Sequence, residues 1–386
     1  MTNVYLPVAL RVGGGALRET AEAMKLFGLQ RPAIITDAFM NASGSVQGLV
    51  SILTDGGIHS RIFDGVQADP TVDIVNAAVD FVLAGDHDSV IGFGGGSSID
   101  TAKAVAVMAK RGGDIRSLKA PHQENNRGLP IVAIPTTAGT GSEATKFTII
   151  TDNANDEKML CVGLAYLPTL AIVDFELSIS APPRLTADTG IDALTHALEA
   201  YVSRRNNPFS DAMALSAMRL IWPNLRKVWT SPGDRSAREA MMVGSMQAGI
   251  AFSNASVALV HGMSRPIGAN FHVAHGLSNA MLLPIVTEWS ISGCEERYAD
   301  CARAMGIVDL HFDDAGAAKA LVDALRLLNS DLQVPTPKAY GIDQMQWSAL
   351  IPFMADQALA SGSPGNNPRV PTADEIRDLY VAVWND

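Results

Sequence analysis

Along the first half of the chain, short apolar runs alternate with stretches of helical spacing. Ala33-Ile34-Ile35-Thr36-Asp37, Ser89-Val90-Ile91-Gly92-Phe93 and Ile131-Val132-Ala133-Ile134 read as buried strands. Between them, residues 71–84 and 99–110 carry apolar side chains at helical intervals. This alternation predicts a mostly parallel, doubly wound sheet, an α/β domain. After a further strand, Leu170-Ala171-Ile172-Val173-Asp174, the pattern changes. Pro182-Pro183 is a break, and residues 188–204, 211–228, 235–251 and 315–328 form long Ala-, Leu- and Met-rich segments. They predict an all-helical C-terminal domain. We place the boundary near residue 180, giving an α/β domain over 1–180 and an all-helical domain over 181–386. Residues 361–368 read as a late loop before a final helix, and no internal repeat is found.

Composition narrows the partners. With 29 basic and 40 acidic residues among 386, the net charge is −11, which disfavours nucleic acid. Cys161, Cys294 and Cys301 form no CxxC pair and fit a reducing compartment. The start of the chain lacks the features of a signal peptide, and no apolar run is long enough for a bilayer. The expectation is a soluble, cytoplasmic protein without membrane contact.

Two loops carry the signature of a phosphate site. Gly94-Gly95-Gly96-Ser97-Ser98 follows a strand and opens a helix, where backbone N–H groups and the helix N-terminus attract a pyrophosphate. Asp100, just inside, is expected either to cap the first turn or to contact the cofactor. The second loop, Pro135 to Glu143, presents Thr136, Thr137, Thr140 and Ser142 after another strand end. Asp37, at the end of an early strand, has two readings. It either accepts from a ribose 2′-hydroxyl, favouring NAD over NADP, or simply caps the next helix.

A second constellation lies in the helical half. Asp192 and His196 are four apart in a helical stretch, hence on one face, and His261 and His275 follow. Three imidazoles and one carboxylate suit Fe²⁺ or Zn²⁺ and leave room for a substrate oxygen.

Together, Gly94–Ser97 with Asp100 and Lys103, Pro135 through Glu143, the Asp192-to-His196 stretch, and His261-Gly262-Met263 with His275-Gly276 resemble the iron-dependent (group III) alcohol dehydrogenases. The resemblance runs from about residue 5 to the C-terminus. It implies that Asp192, His196, His261 and His275 hold the metal, Fe²⁺ with Zn²⁺ as the alternative. It implies that both loops, with Asp37, Asp69 and Lys158, line the NAD site of a Rossmann-like dinucleotide-binding domain over 1–180, and that the helical domain over 181–386 binds metal and substrate, in a dehydroquinate synthase-like architecture that forms homodimers or larger assemblies. The expected activity is hydride transfer between NAD and a small primary alcohol or aldehyde. The alternatives are a nucleotide-retaining transhydrogenase of the hydroxyacid-oxoacid type and a dehydroquinate synthase-like lyase.

One departure stands out. Many family members carry a proton-relaying histidine four residues after the third ligand, where this chain has Arg265, which cannot deprotonate. His272 is the candidate replacement for the relay, and Arg265 a candidate to bind an anionic group on the substrate.

Overall fold

A strand flanked by helices on both faces has no polar side, so it reads as a continuous apolar run. That is the state of the central strands. The computed structural model describes residues 2–155 and 157–385, and the chain divides into two compact units, Tyr5–Ala181 and the part from Pro182 onward, with which the residues up to Val4 group.

The first unit is built on a six-stranded sheet. Its strands are β1 (Ala9–Val12), β2 (Pro32–Asp37), β3 (Arg61–Val66), β4 (Ser89–Gly94), β5 (Ile131–Pro135) and β8 (Leu170–Val173). The order is β1-β8-β5-β4-β2-β3, and every pairing is parallel. The remaining strands, β6 (Phe147–Asp152) and β7 (Glu157–Val162), form a separate antiparallel hairpin. Helices α1 (Thr20–Lys25), α2 (Ala38–Ala42), α3 (Ser45–Asp55), α4 (Val72–Ala84) and α5 (Gly96–Arg111) complete the unit. Side chains alternate between two core layers. Ile35 and Val90 join Val75 of α4 and Val105 of α5 in one, whereas Ile34, Ile91 and Ile134 join Leu49 and Leu53 of α3 in the other.

The four strands read from sequence are the fully covered ones. The two that escaped, β1 and β3, are the sheet edges. With one side unpaired they carry exposed and polar positions, such as Arg61 and Asp64. The β6–β7 hairpin likewise alternates buried and half-buried residues.

The second unit is helical: α6 (Pro183–Val202), α7 (Pro208–Thr230), α8 (Arg235–Ala255), α9 (Leu259–Phe271), α10 (His275–Ser290), α11 (Glu295–Ala304), α12 (Asp314–Asp331), α13 (Pro337–Tyr340), α14 (Gln344–Ala360) and α15 (Ala373–Asn385). Pro183 does not merely interrupt the chain; it occupies the first turn of α6, where its missing N–H is no loss. The late loop contains a short 3-10 turn, Ser363–Asn366, before α15. Among the described residues no single helix is long and apolar enough to cross a membrane.

Helix α6 packs against α7, α8 and α10, and α10 in turn packs against α9 and α12. From Thr186 to Val202 every residue of α6 except Thr189 is buried. A helix buried all round is expected to be apolar, yet α6 carries Asp188, Asp192, His196 and Glu199. Those polar residues mark the site.

Candidate metal centre and nucleotide turn

Asp192 and His196 stand one turn apart on α6, and His261 and His275 come from the first turn of α9 and the first residue of α10. Gly276 sets the approach of α10. A Cβ there would lie 2.3 Å from the carbonyl oxygen of Asp188, so only glycine lets the start of α10 touch the α6 backbone. Asp192 Oδ1 then lies 3.4 Å from His261 Nε2 and 3.7 Å from His275 Nε2. One ligating atom from each of these three residues falls within 4.8 Å of the others. His196 stands slightly apart, with Nδ1 3.9 Å from Asp192 Oδ1. Its ring is stacked between Phe252 and His261, with centroids 4.2 and 4.3 Å away.

Two residues that the sequence did not single out organise this cluster. Glu199, on α6 one turn beyond His196, is buried, and its carboxylate accepts from the backbone N–H groups of Val260 at 2.6 Å and Ala258 at 2.9 Å. It also lies 2.6 Å from His261 Nδ1. In the neutral imidazole the hydrogen on Nδ1 points to Glu199, which leaves the Nε2 lone pair facing Asp192. Asn279, one turn after His275, donates to Asp192 Oδ1 at 2.7 Å and lies 3.2 and 3.4 Å from the Nε2 atoms of His261 and His275.

The charges show what the pocket can hold. Burial by itself would push the Asp192 carboxyl up, but His196, His275 and His261 together hold it well below the usual carboxylate range. For His261, burial pushes the imidazole down, but Glu199 and Asp192 outweigh it and raise it to about 9. Two buried carboxylates thus draw positive charge into the pocket. One carboxylate oxygen and two imidazole nitrogens converging within 4.8 Å of one another suit a divalent cation. The oxygen and nitrogen donors fit Fe²⁺ or Zn²⁺.

The structure treats the other helical-unit candidates differently. His272 ends α9 in the left-handed conformation (φ 54°), is exposed, and donates its backbone N–H to Gly268. Among the described residues no hydrogen bond joins its ring to the four candidate ligands. Arg265 lies one turn after His261, half-buried, and its Nε is sealed from solvent with no acceptor.

In the first unit, Gly94 closes β4 with φ 144°, open to glycine and rare for other residues. Gly95 caps α5 without a side chain, and Gly96 and Ser97 open its first turn, leaving bare N–H groups at the carboxyl edge of the sheet. The second loop lies alongside: Thr136 donates its N–H to Gly94 O at 2.9 Å, and a Cβ at Gly95 would lie 3.8 Å from the Thr137 side chain. Thr140 accepts from the Ser142 N–H through its hydroxyl. Asp37 meets the cap expectation, and its second carboxylate oxygen lies near the glycine turn. Oδ1 caps α2 by accepting from Met40 N at 2.9 Å, while Oδ2 would lie 3.5 Å from a Cβ at Gly94.

Asp100 differs from expectation. It lies past the first turn of α5, whose cap is Gly95, and its carboxylate accepts from Ser142 Oγ at 2.6 Å and Ile149 N at 2.9 Å. Asp100 and Ser142 brace α5 against the second loop and β6. Lys103 is fully buried and donates to Thr145 and to the carbonyl of Phe147. Asp69, at φ 54°, pairs with Lys158 at 2.7 Å, tying the turn after β3 to the hairpin.

Residues 7–175 match the family model for iron-containing alcohol dehydrogenase, and residues 186–384 match the C-terminal model of the Fe-containing alcohol dehydrogenase family. The chain is 36% identical to the NAD-dependent methanol dehydrogenase of Bacillus methanolicus over 380 residues, covering 98% of this chain and 99% of that one. It is 36% identical to the lactaldehyde reductase of Escherichia coli (strain K12) over 375 residues, covering 96% and 97%. The crystal structure of a 1,3-propanediol oxidoreductase superposes with a TM-score of 0.95 at 33% identity, covering 99% of this chain and 100% of that one. Both halves of the chain match in sequence, and the fold matches over nearly its full length: the chain belongs to the iron-containing alcohol dehydrogenase family.

Proposed function

We propose that the protein is an NAD-linked, divalent-metal-dependent dehydrogenase that interconverts small primary alcohols and aldehydes. The observation that carries this reading is the convergence of Asp192, His261 and His275 in front of Glu199. Asp192, His196, His261 and His275 would hold Fe²⁺, and the same donors would accept Zn²⁺. When bound, the ion supplies a Lewis acid for the substrate oxygen and the nicotinamide supplies the hydride acceptor.

The protein's own part is orientation. Glu199 fixes the His261 tautomer, Asn279 steadies Asp192, and Phe252 holds the His196 ring in place. The Gly94–Ser97 turn offers its N–H groups to the pyrophosphate, with Thr136, Thr137 and Thr140 beside it. Asp37 keeps a carboxylate oxygen toward that turn, which favours NAD over a 2′-phosphorylated nucleotide. Asp69 and Lys158 form a paired rim on the same unit. In this reading the first unit binds the dinucleotide, and the second binds metal and substrate. The enzyme works in the cytoplasm as a homodimer or larger homo-oligomer. The reduced state of Cys161, Cys294 and Cys301 agrees with that compartment. Neither the transhydrogenase nor the lyase reading is favoured, since the relatives are dehydrogenases and reductases by name.

The test is NADH formation from NAD⁺ by the Fe²⁺-loaded protein with a panel of short primary alcohols, with NADP⁺ in parallel. Turnover with NAD⁺ preferred is expected. Turnover only with NADP⁺ would overturn the role of Asp37, and no turnover with any alcohol would overturn the activity.

A further inference from the structure

Among the described residues, Arg265 forms no ion pair. It follows His261 by one turn on α9, about 6 Å along the axis, and on the same face. Among the described residues no carboxylate, carbonyl or hydroxyl accepts from its guanidinium, and its Nε is shut away from water. Burying an unpaired charge is costly, and the chain's other half-buried arginines avoid it. Arg184 reaches Asp188, Arg297 reaches Asp211, Arg303 reaches Asp314 and Arg369 reaches Glu375. Arg265 does have a carboxylate in its neighbourhood, that of Glu199. Both oxygens of Glu199 are engaged, however, by Val260, Ala258 and His261.

The charge count points the same way. With a divalent ion in place, Asp192 and Glu199 balance it, and Asp188 is neutralised by Arg184. The guanidinium is the surplus. Its planar fork of N–H donors matches a carboxylate better than any neutral group.

Resting on the oxidoreductase reading above, we propose that Arg265 selects substrates whose alcohol or aldehyde carbon is tethered by a short chain to a carboxylate. The natural substrate is then a hydroxy acid or its aldehyde-acid partner, not a plain alcohol. The guanidinium binds the carboxylate and holds the other end of the molecule at the metal.

The experiment compares kcat/KM for 4-oxobutanoate and butanal, with NADH, on the metal-loaded wild type, Arg265→Gln and Arg265→Lys. A charge-assisted hydrogen-bonded pair predicts a 10- to 100-fold wild-type preference for 4-oxobutanoate, on the order expected for such bonds. Arg265→Gln collapses that ratio toward one by raising KM for the anionic aldehyde, and Arg265→Lys restores part of it. Succinate inhibits butanal reduction by the wild type and loses that effect in Arg265→Gln. The melting temperature of Arg265→Gln is unchanged or raised, because an unpaired, half-buried charge has been removed; a structural arginine would lower it. Equal turnover of the two aldehydes by the wild type, or a ratio that Arg265→Gln leaves unaltered, overturns this proposal alone. Failure of the metal-loaded wild type to reduce either aldehyde overturns it together with the reading on which it rests.

Discussion

Replacing Glu199 by Gln removes a charge but almost no volume, so its effects trace to hydrogen bonding. The carboxylate serves three donors: the N–H groups of Ala258 and Val260 and the Nδ1 hydrogen of His261. An amide accepts through its oxygen only. If that oxygen faces His261, the NH₂ opposes the Val260 N–H, leaving a buried donor unsatisfied at about 1–3 kcal/mol. In the other orientation, the NH₂ faces His261 Nδ1 and forces the hydrogen onto Nε2, the atom that faces Asp192. Either way the metal is held less well. Loss of a carboxylate behind a ligating histidine weakens metal binding about 10- to 100-fold, or about 1.4–2.7 kcal/mol. Chelator competition on the purified variant reads the affinity, and circular dichroism melting of the metal-free protein reads the fold. The expected result is a 10- to 100-fold weaker metal affinity together with a melting temperature lowered by several degrees. Metal affinity equal to that of the wild type would refute the argument that Glu199 sets the His261 tautomer.

Three further expectations follow from particular contacts. Gly276→Ala places a methyl 2.3 Å from Asp188 O; strain of about 1–3 kcal/mol moves His275, read as sub-stoichiometric metal content by elemental analysis. Asp37→Ser keeps a cap for α2 but removes the negative charge beside the glycine turn. It is expected to raise the NADP⁺-to-NAD⁺ ratio of kcat/KM about tenfold or more, whereas an unchanged ratio would leave Asp37 a cap only. Burial pushes Glu143 up from 4.5 to about 7 despite Lys103 nearby. The folded chain therefore keeps a proton there that the unfolded chain has lost, so stability falls as pH rises across that interval and stays lowered above it. Glu143→Gln should flatten the decline in melting temperature between about pH 5 and about pH 8; an identical slope would contradict the assignment.

The residues themselves show where the sequence was readable. Ile34, Ile91 and Ile134 sit in strands covered on both faces, so each apolar run announced its strand. Strand β3 holds Arg61 and Asp64 because it is an edge, and its pattern resembles a loop. Asp192 and His196 were legible because their spacing follows from the helix alone. Glu199 lies on the same helix, yet its partners Ala258, Val260 and His261 come from about sixty residues further on. No local pattern tells a ligating carboxylate from a supporting one. Asn279 has the same difficulty, since an asparagine one turn after a histidine has no signature of its own. Asp100 stood out by its closeness to the glycines, whereas its contacts with Ser142 and Ile149 exist only because β6 docks there, and no local pattern announces them. The position of Arg265 beside His261 was visible in the sequence. That no carboxylate among the described residues pairs with it required the fold.

The central claim is that this pocket holds a metal on which NAD-linked alcohol oxidation depends. Its most direct test is anaerobic: strip the protein with a chelator, restore Fe²⁺ or Zn²⁺ separately, and follow NADH formation from NAD⁺ alongside metal content. The account predicts no activity in the stripped protein and activity that returns in proportion to Fe²⁺ bound, up to about one ion per chain. Equal NADH formation by the stripped protein, or none with either metal at full occupancy, would contradict it.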